Sequence, residues 1–250
     1  MEWDEGGIHQ GLIAKLRNSN HITVLTGAGI SAESGVPTFR QAQSGLWAQY
    51  DPQQLATPQA FRRNPRLVWE WYSWRRELVN KAKPNPGHIA LATMEQQVSR
   101  FTLITQNVDD LHRRAGSQNI IALHGDILKT RCIDCHTYTE DALQNENIPP
   151  RCFHCGGLLR PDVVWFGESL PTEALEAAFT AARECDLFLS IGTSTLVEPS
   201  ASLPFIALQN DIPVVEINPE ETPLSRSATY QLKGAAGKVL PELVRSVWQV

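Results

Sequence analysis

Short, nearly continuous runs of apolar residues recur along the chain, and longer segments with apolar residues at helical spacing lie between them. The short runs predict strands at Ile22–Leu25, Phe101–Ile104, Ile120–Leu123, Leu187–Ile191 and Val214–Ile217. Runs without polar alternation are typical of parallel strands that are buried on both faces. The longer segments predict helices at Ile8–Leu16, Gly87–Gln97, Thr172–Glu184, Ala201–Leu208 and Val239–Trp248. This alternation predicts an α/β fold with a doubly wound parallel sheet.

Two segments interrupt the alternation. Residues 41–86 are rich in Gln, Pro, Trp and Arg around a central predicted helix, Leu67–Lys81. Residues 131–158 contain four of the five cysteines and many turn-forming residues. Both segments are predicted to be insertions between elements of the sheet. A ligand cleft is expected between an insertion and the sheet, because binding sites commonly form there.

The composition is that of an ordinary globular protein: of 250 residues, 42% are hydrophobic and 20% are charged. The net charge is −5 and the basic residues are scattered, so no nucleic-acid partner is expected. No apolar run approaches the ~18–20 residues of a membrane span, so no membrane association is expected either. The acidic segment Met1–Glu5 lacks the pattern of a secretory signal, and a cytoplasmic location is therefore expected.

Four cysteines form two CxxC pairs that are separated by 16 residues: Cys132, Cys135, Cys152 and Cys155. This spacing is typical of a zinc ribbon, and four thiolates around a tetrahedral ion leave no open coordination position. We therefore expect one structural Zn²⁺. A redox dithiol, an iron–sulfur cluster and a chance arrangement are the alternatives. His136 and His154 are neighbouring potential ligands, whereas Cys185 is expected to be a small buried residue.

A glycine-rich turn, Gly27-x-Gly29-x-x-Ala32, follows the first predicted strand and precedes a helix. Its form matches a dinucleotide fingerprint, in which glycines let the backbone approach a pyrophosphate at a helix N-terminus. The acidic residue that holds the ribose in an NAD dehydrogenase is missing about 20 residues further on, which disfavours that class. A tight turn without a ligand is the alternative.

Further motifs follow this turn in a fixed order: Gly35 to Arg40, Thr105 to Asp109, Leu123-His124-Gly125, the two CxxC pairs, Val163 to Glu168, Gly192-Thr193-Ser194 and Ile217-Asn218. The series resembles the sirtuin family from about residue 22 to Pro241. The resemblance implies a Rossmann-like NAD-binding domain (1–40, 99–130 and 159–250), a helical insertion (41–98) and a smaller zinc-binding domain (131–158). NAD and an acyl-lysine side chain of a protein would meet in the cleft between the domains.

The resemblance also implies roles for matching residues. Those expected to bind the phosphates, the adenosine and the adjacent ribose of NAD are Gly27, Ala28, Gly29, Ser31, Arg40, Gly192, Thr193, Ser194, Asn218 and Ala236. Those expected around nicotinamide and its ribose are Phe39, Gln106, Asn107 and Asp109. Helix capping by Asp109 and Asp110, and a hydrogen bond from Ser194 at a strand end, are the alternative roles.

His124 is expected to be the general base, because it follows a predicted strand at the rim where ligands bind and an imidazole titrates near neutral pH. A surface or structural role is the alternative for any one of the seven histidines. In sirtuin chemistry the acyl oxygen attacks the nicotinamide ribose and nicotinamide leaves. The histidine then activates a ribose hydroxyl, and lysine and O-acyl-ADP-ribose are released.

Substrate contacts are expected from the segment Val163 to Glu168, with Val163, Phe166, Gly167 and Glu168 bordering a peptide that pairs as an added strand. On the predicted helix Leu67–Lys81, Arg75 falls on the apolar face beside Tyr72. An arginine there needs an anion or hydrogen-bond partners. The pair is similar to the signature of class III sirtuins, which favour succinyl-, malonyl- and glutaryl-lysine. Thr38, where many sirtuins have Asp, is shared with that branch.

Other functions stay open at this point. A salt bridge within the protein, or an extended side chain reaching water, is the alternative role for Arg75. A plain deacetylase and an NAD-dependent mono-ADP-ribosyltransferase are the alternative activities. A zinc scaffold or DNA-binding module is disfavoured by the acidic net charge and by the complete set of cofactor motifs.

Overall fold

The structure is a computed structural model that describes residues 8–37, 50–51, 55–139 and 148–249. Thr38, Phe39 and Arg40 lie outside the described residues. The strands are β1 His21–Thr26, β2 Arg100–Thr105, β3 Ile120–Ala122, β4 Gly125–Cys132, β5 Tyr138–Thr139, β6 Leu159–Val163, β7 Leu187–Ile191, β8 Val214–Asn218 and β9 Tyr230–Lys233.

The helices alternate with these strands along much of the chain. They are α1 Gln10–Asn18, α2 Ala28–Ala32, α3 Pro58–Arg63, α4 Pro65–Lys81, α5 Pro86–Gln97, α6 Leu111–Ala115, α7 Thr172–Glu184, α8 Leu203–Gln209 and α9 Ala236–Trp248. A short 3₁₀ turn, Ser200–Ser202, precedes α8. None of the described helices is long and apolar enough to cross a membrane.

Six of the described strands form a parallel sheet in the order β3-β2-β1-β7-β8-β9. Apolar residues of its central strands point to two separate clusters. On one face, Ile22 and Val24 pack with α1, α5 and α9, and on the other, Leu25 packs with α7 and α8. Helices therefore cover both faces of the sheet, and the predicted doubly wound α/β fold is confirmed.

The edge strand β9 was not predicted from the sequence. Its residues are alternately half-buried and exposed, so it lacks the continuous apolar run that marks the central strands. Pairing with β8, rather than a strong pattern of its own, accounts for its strand conformation.

A second, antiparallel sheet has the order β5-β4-β6. It extends beyond the predicted small domain at both ends, because β4 begins at Gly125 and β6 ends at Val163. The predicted helical insertion also contains α5, whose Leu91 and Met94 belong to the core of the large sheet. The pairing of strands on either side of the cysteine segment explains the first difference, since sequence periodicity does not reveal which strands pair.

Helix α4 packs against the small sheet. It begins after Asn64, whose side chain accepts a hydrogen bond from Leu67 N, and Pro65 occupies its first turn. Its buried face packs Val68, Trp71 and Tyr72 against Ile127 and Trp165 of the small-sheet region. Helix α4 is therefore part of the core that covers the small sheet.

Candidate active site

The loops after β1 and β7 cross at the point where the strand order reverses. Gly27 N donates to Ile191 O at 3.0 Å, and Gly29 N donates to Gly192 O at 2.9 Å. A Cβ on Gly27 would lie 2.7 Å from Gly192 O, and a Cβ on Gly29 would lie 2.7 Å from Gly192 Cα. Glycine is required at both positions because the two backbones are in contact here. Doubly wound sheets bind ligands at the point where the strand order reverses, which is the position of this crossing.

The loop after β2 lies against the glycine turn. Asn107 Nδ2 donates to Gly27 O and to Ser31 Oγ, both at 3.1 Å. Ser31 Oγ donates in turn to Asp109 Oδ2 at 2.9 Å. Four residues predicted from separate motifs are therefore brought into one hydrogen-bonded group. Gly27 and Asn107 are buried, so the group forms the inner wall of the crevice.

Asp109 is half-buried in this wall. Burial raises the pKa of its carboxyl, while hydrogen bonds from Leu111 N and Ser31 Oγ act in the opposite direction. The bond from Leu111 N to Oδ1, at 3.1 Å, satisfies the first backbone donor of α6, whose N-cap residue Asp110 makes no side-chain capping bond. Asp109 makes that contact and also reaches the crevice wall.

His124 stands two residues after β3, beside the same loop. Its Nδ1 lies 2.8 Å from Gln106 O. Because a carbonyl oxygen only accepts, Nδ1 carries a proton and Nε2 keeps its lone pair. Burial lowers the pKa of His124, and the hydrogen bond to Gln106 O partly offsets this effect. The imidazole is therefore neutral at pH 7, with Nε2 able to accept a proton.

The predicted adenosine-side residues surround the ends of β7 and β8. Thr193 is buried and its Oγ1 lies 3.2 Å from Ser190 Oγ, whereas Ser194 is exposed. Asn218 Nδ2 donates to Thr193 O at 2.8 Å, which joins the two strand ends. Ala236 is buried at the start of α9, where a Cβ on Gly87 would meet its carbonyl group at 3.1 Å. Ala28 follows Gly27 as the first residue of α2.

The segment after β6 is held by an ion pair. Arg160 contacts both carboxylate oxygens of Glu168, at 2.5 and 2.9 Å, and Trp165 N donates to Glu168 Oε2 at 2.8 Å. Hydrogen bonds from Arg160 help to lower the pKa of Glu168, against the effect of burial. Glu168 thus fixes the shape of this segment, while Phe166 and Gly167 are exposed on it. Val163 ends β6, opposite Gly125.

Tyr72 and Arg75 lie together on α4. The guanidinium carbon of Arg75 is 5.0 Å from the Trp71 ring centroid and 5.8 Å from that of Tyr72. Burial lowers the pKa of Arg75, and the nearby Tyr72 and Asp109 oppose this effect. Tyr72 Oη accepts a hydrogen bond from Trp165 Nε1 at 3.0 Å. Burial raises the pKa of Tyr72 to about 12, so its hydroxyl stays protonated.

The most deeply buried arginine of α4 is Arg76, which the helical pattern did not single out. It is only 8% exposed and donates to Ile127 O at 2.6 Å and to Lys129 O at 3.2 Å. These carbonyls belong to the irregular stretch of β4 between Asp126 and Thr130. Arg76 therefore fixes α4 to β4 through backbone carbonyl groups, whereas Arg75 is only partly buried.

The sulfur atoms of Cys132, Cys135, Cys152 and Cys155 all lie within 4.8 Å of one another. Two of the separations are 3.4 Å, between Cys132 and Cys155, and 3.7 Å, between Cys135 and Cys152. Sulfurs bound at about 2.3 Å around one tetrahedral zinc would lie about 3.8 Å apart. The set fits one structural Zn²⁺, and neither His136 nor His154 belongs to it.

Trp165 shapes the site without a sequence signal of its own. It is 1% exposed, and the Arg160 guanidinium carbon lies 3.3 Å from its ring centroid. The sequence marks its segment but not its contacts, because Tyr72 is 93 positions away in the chain. Only the packing of α4 on the small sheet brings them together.

A doubly wound sheet with a glycine-lined crevice at its switch point, joined to a four-cysteine module, defines a nucleotide-binding α/β enzyme with structural zinc. The sequence profile of the Sir2 family matches residues 27–199. Together with the relatives below, this match shows that the chain belongs to the Sir2 family, and the predicted resemblance is confirmed.

Relatives cover nearly the whole chain. The "NAD-dependent protein deacylase" of Aquifex aeolicus is 53% identical over 91% of this chain and 95% of its own length. The "NAD-dependent protein deacylase 1" of Archaeoglobus fulgidus is 49% identical over 94% of this chain and 96% of its own. A solved Sir2 homologue in complex with NAD is 48% identical with a TM-score of 0.90, over 96% of this chain and 94% of its own.

Proposed function

We propose that this protein, an NAD-dependent protein deacylase, removes dicarboxylic acyl groups (succinyl, malonyl and glutaryl) as well as acetyl from lysine side chains. The general activity, NAD-dependent deacylation, is supported by membership of the Sir2 family and by relatives named as deacylases. Solved Sir2 proteins at TM-scores of 0.90 and 0.83 hold NAD and an acetylated peptide, respectively. Acyl-lysine side chains of proteins are therefore the proposed substrates.

The residues of this chain suit NAD. Close backbone packing at Gly27 and Gly29 leaves no side chain between a pyrophosphate and the turn. Asn107 and Asp109 would hold the nicotinamide amide, next to the glycine turn to which both are linked. When bound, NAD supplies the ADP-ribosyl group that accepts the acyl group.

His124 is the proposed general base. Its Nδ1 is engaged by Gln106 O, so Nε2 is the atom that takes a proton from a ribose hydroxyl. A neutral imidazole at pH 7 suits this role, and the enclosed position of His124 keeps it neutral.

The observation that carries the dicarboxylic specificity is the position of Arg75. Its guanidinium rests beside the rings of Trp71 and Tyr72, and its charge acts on Asp109 of the proposed nicotinamide loop. A cation held next to the cofactor site by two aromatic rings is suited to a carboxylate at the far end of an acyl chain. The protonated Tyr72 hydroxyl adds a donor on the same face.

Replacing Arg75 with methionine tests this specificity. Methionine retains most of the apolar volume, so the helix should still pack. An unpaired substrate carboxylate should cost about 2–5 kcal/mol, which lowers kcat/KM for succinyl-lysine peptide by about 30-fold or more. Activity on acetyl-lysine peptide should change far less. Equal losses on both peptides would assign Arg75 a structural role.

Arg66→Met is the matched control, because Arg66 lies on the same helix with an exposed side chain paired to Glu70. It should leave both activities near the wild-type values. Tyr72→Phe should act in the same direction as Arg75→Met but more weakly, by about 0.5–1.5 kcal/mol for one hydrogen bond. Because Trp165 Nε1 would lose its acceptor, thermal unfolding of this variant must be measured alongside.

A further inference from the structure

Two histidines are buried beneath the crevice. His88 on α5 has no exposed surface and His112 on α6 is 2% exposed. Their ring centroids are 4.9 Å apart, with the planes at 58°. Burial lowers the pKa of His88 to about 4 and, together with the neighbouring His88, lowers that of His112 to about 3. Both imidazoles are therefore neutral at pH 7.

The hydrogen-bond partners of these rings determine where the protons are. Asn85 N donates to His88 Nδ1 at 3.3 Å, so the proton of neutral His88 is on Nε2. Thr26 Oγ1 donates to Thr105 Oγ1 at 2.9 Å and lies 3.0 Å from His112 Nε2. Since the Thr26 proton is already used, His112 Nε2 must be the donor in the second contact. Neutral His112 then has a bare Nδ1.

One donor and one acceptor remain. His88 Nε2 and His112 Nδ1 are buried and have no hydrogen-bond partner among the described residues. A buried polar atom without a partner is costly, and these two atoms are complementary. The rings are close enough for one buried water molecule to bridge these two atoms, which make no direct hydrogen bond.

We propose that His88 and His112 form a proton-ordered pair that positions the Asn107 loop of the cofactor site through the hydroxyl groups of Thr26 and Thr105. Thr105 Oγ1 accepts from Asn107 N at 3.1 Å, and the Asn107 side chain holds Gly27 O and Ser31 Oγ. A bridge between the two rings would complete this network from α5 to the crevice wall. The role of these residues in NAD capture rests on the proposed function, whereas the pairing of the rings does not.

Side-chain NMR of the histidines tests the pairing itself. His88 and His112 should both be the neutral tautomer with the proton on Nε2, and both should stay neutral down to about pH 5, well below the ordinary histidine pKa of about 6.5. A proton on Nδ1 of His112, or titration of either ring near its ordinary pKa, would overturn the proposal. This result does not depend on any enzymatic activity.

Thr26→Val tests the positioning role, because valine keeps the shape and removes the hydroxyl that joins His112 to Thr105. It should raise both the KM for NAD and the inhibition constant of nicotinamide by about 3- to 10-fold. At saturating NAD, kcat should stay within about 2-fold of the wild-type value. Thr26→Ser, which restores the hydroxyl, should return the KM for NAD towards the wild-type value.

Thr23→Val is the matched control for stability. Thr23 lies on the same strand, is equally buried and donates to Ala181 O at 3.1 Å on the other face of the sheet. It should lower the melting temperature without changing the KM for NAD. An unchanged KM in Thr26→Val, or an equal rise in Thr23→Val, would show that the network is merely structural. If wild-type protein lacked deacylase activity, the Kd for NAD would be measured by calorimetry on the same variants. A rise in Thr26→Val but not in Thr23→Val would support the positioning role, and any other pattern would contradict it.

Discussion

At the scale of single residues, backbone carbonyl oxygens determine how side chains near the crevice can act. Gln106 O holds the Nδ1 proton of His124 and so leaves Nε2 as the basic atom. Gly27 O holds the side-chain amide of Asn107 in the same way. These acceptors belong to loops that leave the carboxyl ends of parallel strands, so the fold itself sets the tautomer of His124 and the orientation of Asn107.

His124→Ala is expected to lower kcat by about 10²–10⁴-fold while leaving the Kd for NAD nearly unchanged. The proposed base works only as neutral imidazole, and burial lowers its pKa below 6.5. Activity of the wild type should therefore be flat above this lowered pKa and should fall as pH decreases through it. The measurements are kcat/KM between about pH 5 and 9 and NAD titration by calorimetry.

Near-normal turnover by a folded His124→Ala variant would mean that another group takes the proton. A wild-type profile whose acidic limb lies above pH 6.5 would contradict the direction of the pKa shift.

At the scale of elements, the cysteine end of the small sheet has only a small apolar core, and polar contacts hold the neighbouring segments. This end has a buried cluster of only Trp69, Cys132, Cys152 and Leu159 among the described residues. Arg76 bridges α4 to the irregular part of β4, and Arg160 fixes the segment after β6 through Glu168. A metal ion that ties the two cysteine pairs together is most effective in such a module.

Cys152→Ser should remove about one zinc per chain and unfold the small sheet before the large one. Since α4 packs on this sheet, deacylase activity should fall as well. Cys185→Ala is the matched control: Cys185 is buried in the other core, next to α7, and should not affect metal content. Elemental analysis and thermal unfolding provide the measurements. Full activity in a zinc-free, folded Cys152→Ser variant would contradict a structural role for the metal.

At the scale of the whole molecule, the sequence predicts the central strands because each is apolar on both faces, and it predicts the cysteine set because its spacing is specific. The glycine turn and Asn107 could be predicted from motifs, and the structure joins them. The pairing of β4 with β6 could not be predicted, because these strands are distant from each other in the chain. The deeper burial of Arg76 than of Arg75 could not be predicted either, because the carbonyl groups that Arg76 contacts belong to β4.

The contacts that organise the site are also long-range. Trp165 reaches Tyr72, and Thr26 reaches His112, across 93 and 86 positions of the chain. No local periodicity contains such contacts, since they arise when α4 packs on the small sheet and when α6 packs under β1. The sequence thus predicts which polar residues line the crevice, and the fold determines which neighbours orient them.

Product analysis on succinyl-lysine and acetyl-lysine peptides, with and without NAD, tests whether the protein removes both acyl groups at the expense of NAD. Mass spectrometry and chromatography would follow four species: peptide, nicotinamide, O-acyl-ADP-ribose and free carboxylic acid. We expect each peptide to give free lysine, nicotinamide and O-acyl-ADP-ribose in a 1:1:1 ratio, and only when NAD is present. Release of free succinate without consumption of NAD, transfer of ADP-ribose to the peptide, or turnover of acetyl-lysine alone would contradict this expectation.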